Sequence, residues 1–352
     1  MGEFSTEILT FFVKAVIVVG VILASGLGLS IVALVISSGR RRSEQDLDLE
    51  ISDLVEVHQA TRHALLAGVL SKRALKTLIK TEPQMKQTDD APRTFVVSFT
   101  GSRQAQSLRA LRREISGLLA IARPGLDEVA IRLESPGGSV VQYGHAAAQL
   151  ARIREAGVQL TALVDEVAAS GGYLMAAVAH RIVAAPFAAI GSIGVLVQIP
   201  NVARWLKEHQ VDVVERTAGV HKRTVSVLGE IKPEGLTKLD EQLKDTHDLF
   251  QVAVLRYRPQ LQMEKVSTGE YWYGSQAIGL GLIDALGTSD AYIDQQRTAG
   301  RRVFHVRCRQ RENWYQRIGA GVAKLLLAFR QDVEASDRQF KADLRSPTGL
   351  LD

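Results

Sequence analysis

The chain has 352 residues, 43 Lys and Arg against 38 Asp and Glu, a net charge of +5 and 46% hydrophobic residues, too apolar for a disordered chain and too charged for a protein that crosses a membrane many times. Its length accommodates about two units of roughly 150 residues, so a catalytic-size core needs no covalent staples. The single cysteine, Cys308, excludes an intrachain disulfide or a zinc site built on paired cysteines, and the basic excess is spread without the block of like charges that marks a nucleic-acid arm, so no nucleic-acid partner is expected.

Ala15 to Ile36 is a run of 22 uncharged positions, 14 of them Val, Ile or Leu. At about 1.5 Å per residue it is long enough for the roughly 30 Å hydrocarbon core of a bilayer. The run exceeds the apolar stretch of a signal peptide and no Ala-x-Ala site follows, so an uncleaved single-pass anchor is expected within residues 1–42. Arg40, Arg41 and Arg42 against Lys14 on the other flank favour a cytoplasmic C-terminal side. Gly20, Ala24 and Gly28 have the small-xxx-small spacing that lets two membrane helices approach closely.

Ser43 to Lys80 is rich in helix formers and predicts a juxtamembrane helix, acidic in its first half and basic in its second. Glu82 to Pro92, with two prolines and no apolar periodicity, reads as the linker that completes a segment 43–92. From there apolar runs alternate with helical patterns. Phe95–Phe99, Val129–Leu133, Leu160–Val164 and Arg181–Ala184 predict strands; Gln104–Ile121, Val140–Arg154 and the longer Pro233–Tyr257 predict helices. The order gives an α/β class with a largely parallel sheet.

Three glycine-containing segments each lie after a strand or at a helix start: Glu134-Ser135-Pro136-Gly137-Gly138-Ser139-Val140, Ala168-Ala169-Ser170-Gly171-Gly172-Tyr173 and Gly191-Ser192-Ile193-Gly194-Val195. Such junctions can turn backbone N–H groups toward an anion at the positive end of a helix, although each alone is also an ordinary packing turn. No Gly-Lys-Ser/Thr and no Gly-x-Gly-x-x-Gly follows, which removes the usual support for nucleotide binding. Ser170, flanked by Gly171 and Gly172, has the accessibility of a nucleophile, with His145, His180, His221 and Lys222 as candidate bases. His180, at the end of the same short helix, is read as a cap or a solvent-facing residue.

In this order and spacing the three segments resemble the signal peptide peptidase A family of serine proteases, peptidase family S49. The resemblance extends to Ala185-Pro186, Ala218-Gly219 with His221-Lys222-Arg223-Thr224, and Thr268-Gly269-Glu270 with Trp272-Tyr273-Gly274, and it runs from about Phe95 to Arg307. It implies a ClpP/crotonase-like domain over 93–307 and a Ser/Lys dyad with Ser170 as nucleophile and Lys222 as general base. It further implies a lysine-orienting hydroxyl on Ser192 and an oxyanion hole from backbone N–H groups of Gly137, Gly138 and Gly171, with no metal or cofactor. A lysine serves as a base near neutral pH once burial strips its water, so Lys222 is expected to be desolvated on closure by substrate or by a neighbouring protomer.

The expected function is therefore hydrolysis of peptides by a serine endopeptidase of a bacterial inner membrane. Its expected partners are a peptide substrate, the lipid bilayer and further copies of itself, with active sites formed between protomers. Family precedent puts the domain outside the cytoplasm, whereas the three arginines argue for the inside. The alternative from another class is a catalytically idle oligomeric membrane scaffold of the same fold; an acyl-CoA enzyme would leave Lys222 without a role. Residues 308–352, with Trp314, Tyr315, Ile318, Leu325 and Phe329 among basic residues, read as an amphipathic helix that docks on a neighbour or lies on a membrane.

Overall fold

Apolar runs that alternate with helices give one predominantly parallel sheet. The computed structural model describes residues 47–81, 90–101 and 106–310. The expected membrane span at 15–36, most of the 82–92 linker and the apolar tail from Trp314 lie outside them. Among the described residues no helix is long and apolar enough to cross a membrane. Leu49–Arg309 makes one compact unit.

The central sheet is built from β1 (Leu47–Asp53), β2 (Arg93–Thr100), β3 (Glu128–Glu134), β4 (Gln159–Val164), β6 (Arg181–Ala184), β9 (Ala285–Leu286) and β10 (Arg302–Gln310). Their spatial order is β1-β10-β2-β3-β4-β6-β9. Every pairing from β10 through β9 is parallel. Such a sheet needs cover on both faces, which explains why β3 and β4 read as continuous apolar runs. On one face Phe95, Val97 and Phe99 pack with Leu111 and Ile115 of helix α3 (Gln106–Leu119) and Leu150 and Ile153 of α4 (Val140–Glu155). Val96, Ala130, Leu163 and Val183 point the other way, against Tyr292 of α10 (Ser289–Thr298). The four predicted strands and three predicted helices occur with shifts of at most two residues at each end. The mixed α/β fold with its central sheet fits the ClpP-like architecture expected.

The expected helix from Ser43 is corrected. Residues 47–53, Leu-Asp-Leu-Glu-Ile-Ser-Asp, alternate with a period of two and form β1 at the sheet edge. Its acids face cations on the neighbouring β10, with Glu50 3.0 Å from Arg307 and Asp53 3.7 Å from Arg302. Helix begins at α1 (Leu54–Val69), where the Asp53 carboxylate accepts from the Val55 N–H at 2.8 Å, and continues after a break as α2 (Lys72–Thr81).

A second sheet of three short strands positions the site: β5 (Val167–Ala169), β7 (Ala189–Gly191) and β8 (Tyr271–Tyr273), in the order β5-β7-β8. The pair β5–β7 is parallel and β7–β8 antiparallel. An isolated bridge from Ser135 to Ala168 ties the end of β3 to β5. The short helix α5 (Gly171–Ala177) follows β5 directly. Beyond β7 come α6 (Ala203–Glu208) and the long α7 (Pro233–Leu255), with α8 (Met263–Val266) and α9 (Gly274–Ala277) on either side of β8.

Candidate active site

Ser170 occupies the one-residue turn between β5 and α5. Its backbone has φ 53° and ψ −123°, a conformation that costs a non-glycine residue of order 1–3 kcal/mol and persists only where the surroundings impose it. They do so through four hydrogen bonds. The Ala169 N–H donates to the Ser135 carbonyl (3.0 Å), the Ser135 N–H to the Val167 carbonyl (2.8 Å), the Ser170 N–H to the Gly191 carbonyl (2.8 Å) and the Leu174 N–H back to the Ser170 carbonyl (3.1 Å). The helix behind is anchored by Tyr173, fully buried, whose hydroxyl donates to the Leu282 carbonyl at 2.9 Å. Burial raises the Tyr173 phenol above its ordinary range, with Arg258 opposing, so it stays a neutral donor. A strained strand-to-helix turn of this kind projects a hydroxyl away from the sheet at the positive end of a helix.

The glycine turn after β3 lies directly against this serine. A Cβ placed on Gly137, whose φ is +93°, would stand 2.7 Å from Ser170 Cβ, 2.9 Å from the Ala169 carbonyl oxygen and 3.0 Å from the Gly171 nitrogen. Only glycine permits that approach. Of the three amides expected to hold an oxyanion, Gly137 is otherwise engaged, because its N–H donates to Ser135 Oγ at 3.2 Å. Gly138, and Gly171 as the first residue of α5 with no acceptor one turn back, remain the pair suited to that task.

Ser192 is brought beside Ser170 by register. Ala169 pairs with Gly191, so the two serines leave adjacent parallel strands at the same level, and Ser192 also has a positive φ of 50°. Its hydroxyl donates to the Gly269 carbonyl at 3.1 Å and its N–H to the Glu270 carbonyl at 2.7 Å. The Thr268-Gly269-Glu270 segment thereby serves as the wall behind Ser192.

Within one chain, Lys222 makes no hydrogen bond to this cluster among the described residues. It lies in an irregular, exposed stretch after α6, its N–H donating to the Gly219 carbonyl at 3.2 Å, and no described hydrogen bond joins its amine to Ser170 or Ser192. The rival bases are no closer to such a role. His145 is exposed on α4 and His221 is exposed beside Lys222. His180 Nδ1 accepts from the Leu160 N–H at 3.0 Å, so this ring, exposed on its outer side, clips the start of β4, and the desolvation of its inner side together with Arg154 lowers its basicity. No described His, Cys, Asp and Glu come together in a way that could hold a metal ion.

Sequence reasoning passed over two residues at the heart of this geometry. Ser135 and Tyr143 are buried, and their hydroxyls are 2.5 Å apart behind the glycine turn. Ser135 lies inside the first glycine segment; Tyr143, in the first turn of α4, carries no motif that singles it out.

Comparison with known proteins accords with the order of these segments. The description Peptidase family S49 N-terminal matches residues 3–150, and Peptidase family S49 matches residues 152–301. The chain is 42% identical over 308 residues to the probable protease SohB of Haemophilus influenzae, covering 83% of this chain and 87% of that protein. It is 37% identical over 280 residues to the putative protease SohB of Buchnera aphidicola subsp. Baizongia pistaciae, covering 74% and 80%. Similarity to protease 4 of Salmonella typhi is 31% over 177 residues, 47% of this chain and 27% of that one. Spanning both matched parts of the family and most of the length of two such relatives, the chain belongs to peptidase family S49 and is a protease of that family.

Proposed function

We propose that the protein is a membrane-anchored serine endopeptidase in which Ser170 is the nucleophile and Lys222 of a neighbouring protomer is the general base. The observation that carries this reading is the imposed turn at Ser170, with its positive φ, its place at the start of α5 and its contact with the Gly137–Gly138 turn. In the first step Ser170 Oγ bonds to the scissile carbonyl carbon while its proton passes to the Lys222 amine. The carbonyl oxygen becomes an oxyanion held by the Gly138 and Gly171 N–H groups. Collapse breaks the C–N bond, the proton on Lys222 goes to the departing amine, and an acyl-Ser170 ester remains. Water, deprotonated by the same lysine, then cleaves that ester and restores the serine. The Ser192 hydroxyl turns from Gly269 to orient the lysine amine.

Assembly from two protomers is supported by the exposure of the segment bearing the base. From residue 194 to residue 253 no residue is buried, although the stretch includes apolar side chains. Leu196, Trp205, Val214 and Val220 are between 57% and 91% exposed. Apolar surface of that extent marks a place for another protein surface, and covering it would also strip water from Lys222. The apolar run at 15–36 supports anchoring in a bacterial inner membrane and a supply of membrane-associated peptides. The arginines at 40–42 support a cytoplasmic domain, a point that a cysteine placed in the 82–92 linker and probed in intact cells decides.

The test is hydrolysis of an internally quenched peptide together with labelling by a serine-reactive peptidyl phosphonate. Wild-type protein should show both, and Ser170→Ala should lose both while keeping its thermal transition. Undiminished peptide hydrolysis by Ser170→Ala would end this reading, as would wild-type protein that neither cleaves nor labels.

A further inference from the structure

Behind the catalytic turn sits a pair of hydroxyls with no part in the chemistry outlined above. Ser135 is fully enclosed and Tyr143 nearly so. Ser135 Oγ and Tyr143 Oη are 2.5 Å apart, and Ser135 Oγ also accepts the Gly137 N–H at 3.2 Å. The backbone of Ser135 is held on both sides, its N–H on the Val167 carbonyl and its carbonyl on the Ala169 N–H. Its backbone is therefore bridged to β5, the strand that leads into Ser170.

The glycines around the site are cut to fit this pair. A Cβ on Gly171 would stand 2.6 Å from Tyr143 Cβ, and one on Gly138 would stand 3.0 Å from Tyr143 Cε2. A Cβ on Gly172 would stand 3.0 Å from Ser135 Cβ, and one on Gly101 2.5 Å from Tyr143 Oη. One tyrosine thus packs against both glycines whose amides are assigned to the oxyanion. Phe99, edge-on to the same ring at 6.2 Å between centroids, backs it from the core.

We infer that Ser135 and Tyr143 are positioning residues that hold the oxyanion-binding amides in their working orientation. Two successive glycines have the widest backbone freedom of any dipeptide, and a donor pair left free to rotate would reorganise at each turnover. The Ser135 hydroxyl fixes the peptide plane that enters Gly137, and the close packing of Gly137 against Ser170 and Ala169 restricts the turn into the next plane, which carries the Gly138 N–H. Tyr143 orients the Ser135 hydroxyl by taking a second of its hydrogen-bond positions, and its ring packs against Gly138 and Gly171.

This inference rests on the serine-peptidase reading, and its test separates the two. The full chain is compared as wild type, Tyr143→Phe, Ser135→Ala and the double variant, with an internally quenched peptide, a peptide aldehyde that forms a hemiacetal on a serine, and the uncleaved peptide bound to versions that also carry Ser170→Ala. Tyr143→Phe should lower kcat about 10- to 100-fold with KM unchanged, and weaken the aldehyde by the same factor, because both depend on the oxyanion. Uncleaved peptide should bind as before, and the double variant should be no worse than the poorer single one. Unchanged kcat in both single variants overturns the inference. So does an equal loss of aldehyde and uncleaved-peptide binding, which marks a purely structural role, or failure of both single variants to fold. Absence of cleavage by the wild type would instead remove the parent reading.

Discussion

Asp127 and Glu114 are both buried acids, and their neighbours differ. Asp127 accepts from the backbone and guanidinium of Arg93 and of Arg123, at 2.6–3.0 Å. Burial alone would raise its carboxyl, but these donors outweigh burial and hold it well below the usual carboxylate range. Its stabilisation is present above the ordinary value and is lost as the pH falls through the depressed one. Glu114 on α3 has a single described partner, the Cys308 N–H of β10 at 2.6 Å, and its Oε2 is buried without one. Burial pushes its carboxyl up to about 7 from the ordinary 4.5, with the Cys308 N–H opposing. A raised acid acts in the reverse sense, because the folded state keeps a proton that the unfolded chain releases. This stabilisation is complete below 4.5, falls as the pH rises to about 7 and is flat above. Glu114→Gln keeps an oxygen for Cys308 and removes the ionisation. Urea unfolding of the variant and the wild type should show a stability difference that grows in the variant's favour by up to roughly 3 kcal/mol from pH 4 to pH 8. A difference independent of pH would mean that Glu114 ionises as freely folded as unfolded.

Secondary elements were legible to the degree that burial dictated their residues. β2, β3, β4 and β6 are buried on both faces, so each is dominated by β-branched, aliphatic or aromatic residues and reads as a strand without a partner in view. β1 was hidden by its acids, which suggest a helix until Arg302 and Arg307 of β10 are seen opposite them. β5 and β7 are three residues each, Val-Ala-Ala and Ala-Ile-Gly, too short for any periodicity to register. Their pairing is nevertheless what brings Ser170 and Ser192 together. Of the candidate site residues, those in glycine segments fall into one cluster because the segments end adjacent strands. The Gly137 amide could not be sorted from its neighbours by sequence, since its acceptor is a side chain two residues back. The glycine turn gives a test at this scale. Gly137→Ala places a methyl against Ser170 Cβ and a strained φ on a residue with a Cβ. Peptide hydrolysis should fall at least about 100-fold, the size of losing one oxyanion donor, while the protein still folds, with a thermal transition lowered by several degrees. Retention of more than a tenth of wild-type activity would show that the turn yields without harm to the site.

At the scale of the whole molecule, the proposed nucleophile and its proposed base sit in regions of opposite character. Ser170 is embedded in hydrogen-bonded strands above a closed core, and Lys222 belongs to sixty residues with no buried side chain, 194–253. If the base comes from a neighbour, Ser170→Ala and Lys222→Ala subunits, each inactive alone, should recover activity when co-assembled, because some interfaces then pair an intact serine with an intact lysine. Turnover measured after mixing and reassembly checks this, and mixed oligomers as inactive as their parents would place the dyad in one chain. The register of β5 and β7 has a bearing on how such activity would vary. Ser170 and Ser192 each follow the paired residues Ala169 and Gly191, so the separation of their backbones is set by the gauge of a sheet, about 4.8 Å between strands, and not by the course of a loop. With a base from a neighbour, changes in the exposed segment would alter how many serines have a lysine to serve them, while each served serine would work on an unchanged frame. Dilution would dim the enzyme as lamps are switched off one by one, each remaining lamp at full brightness.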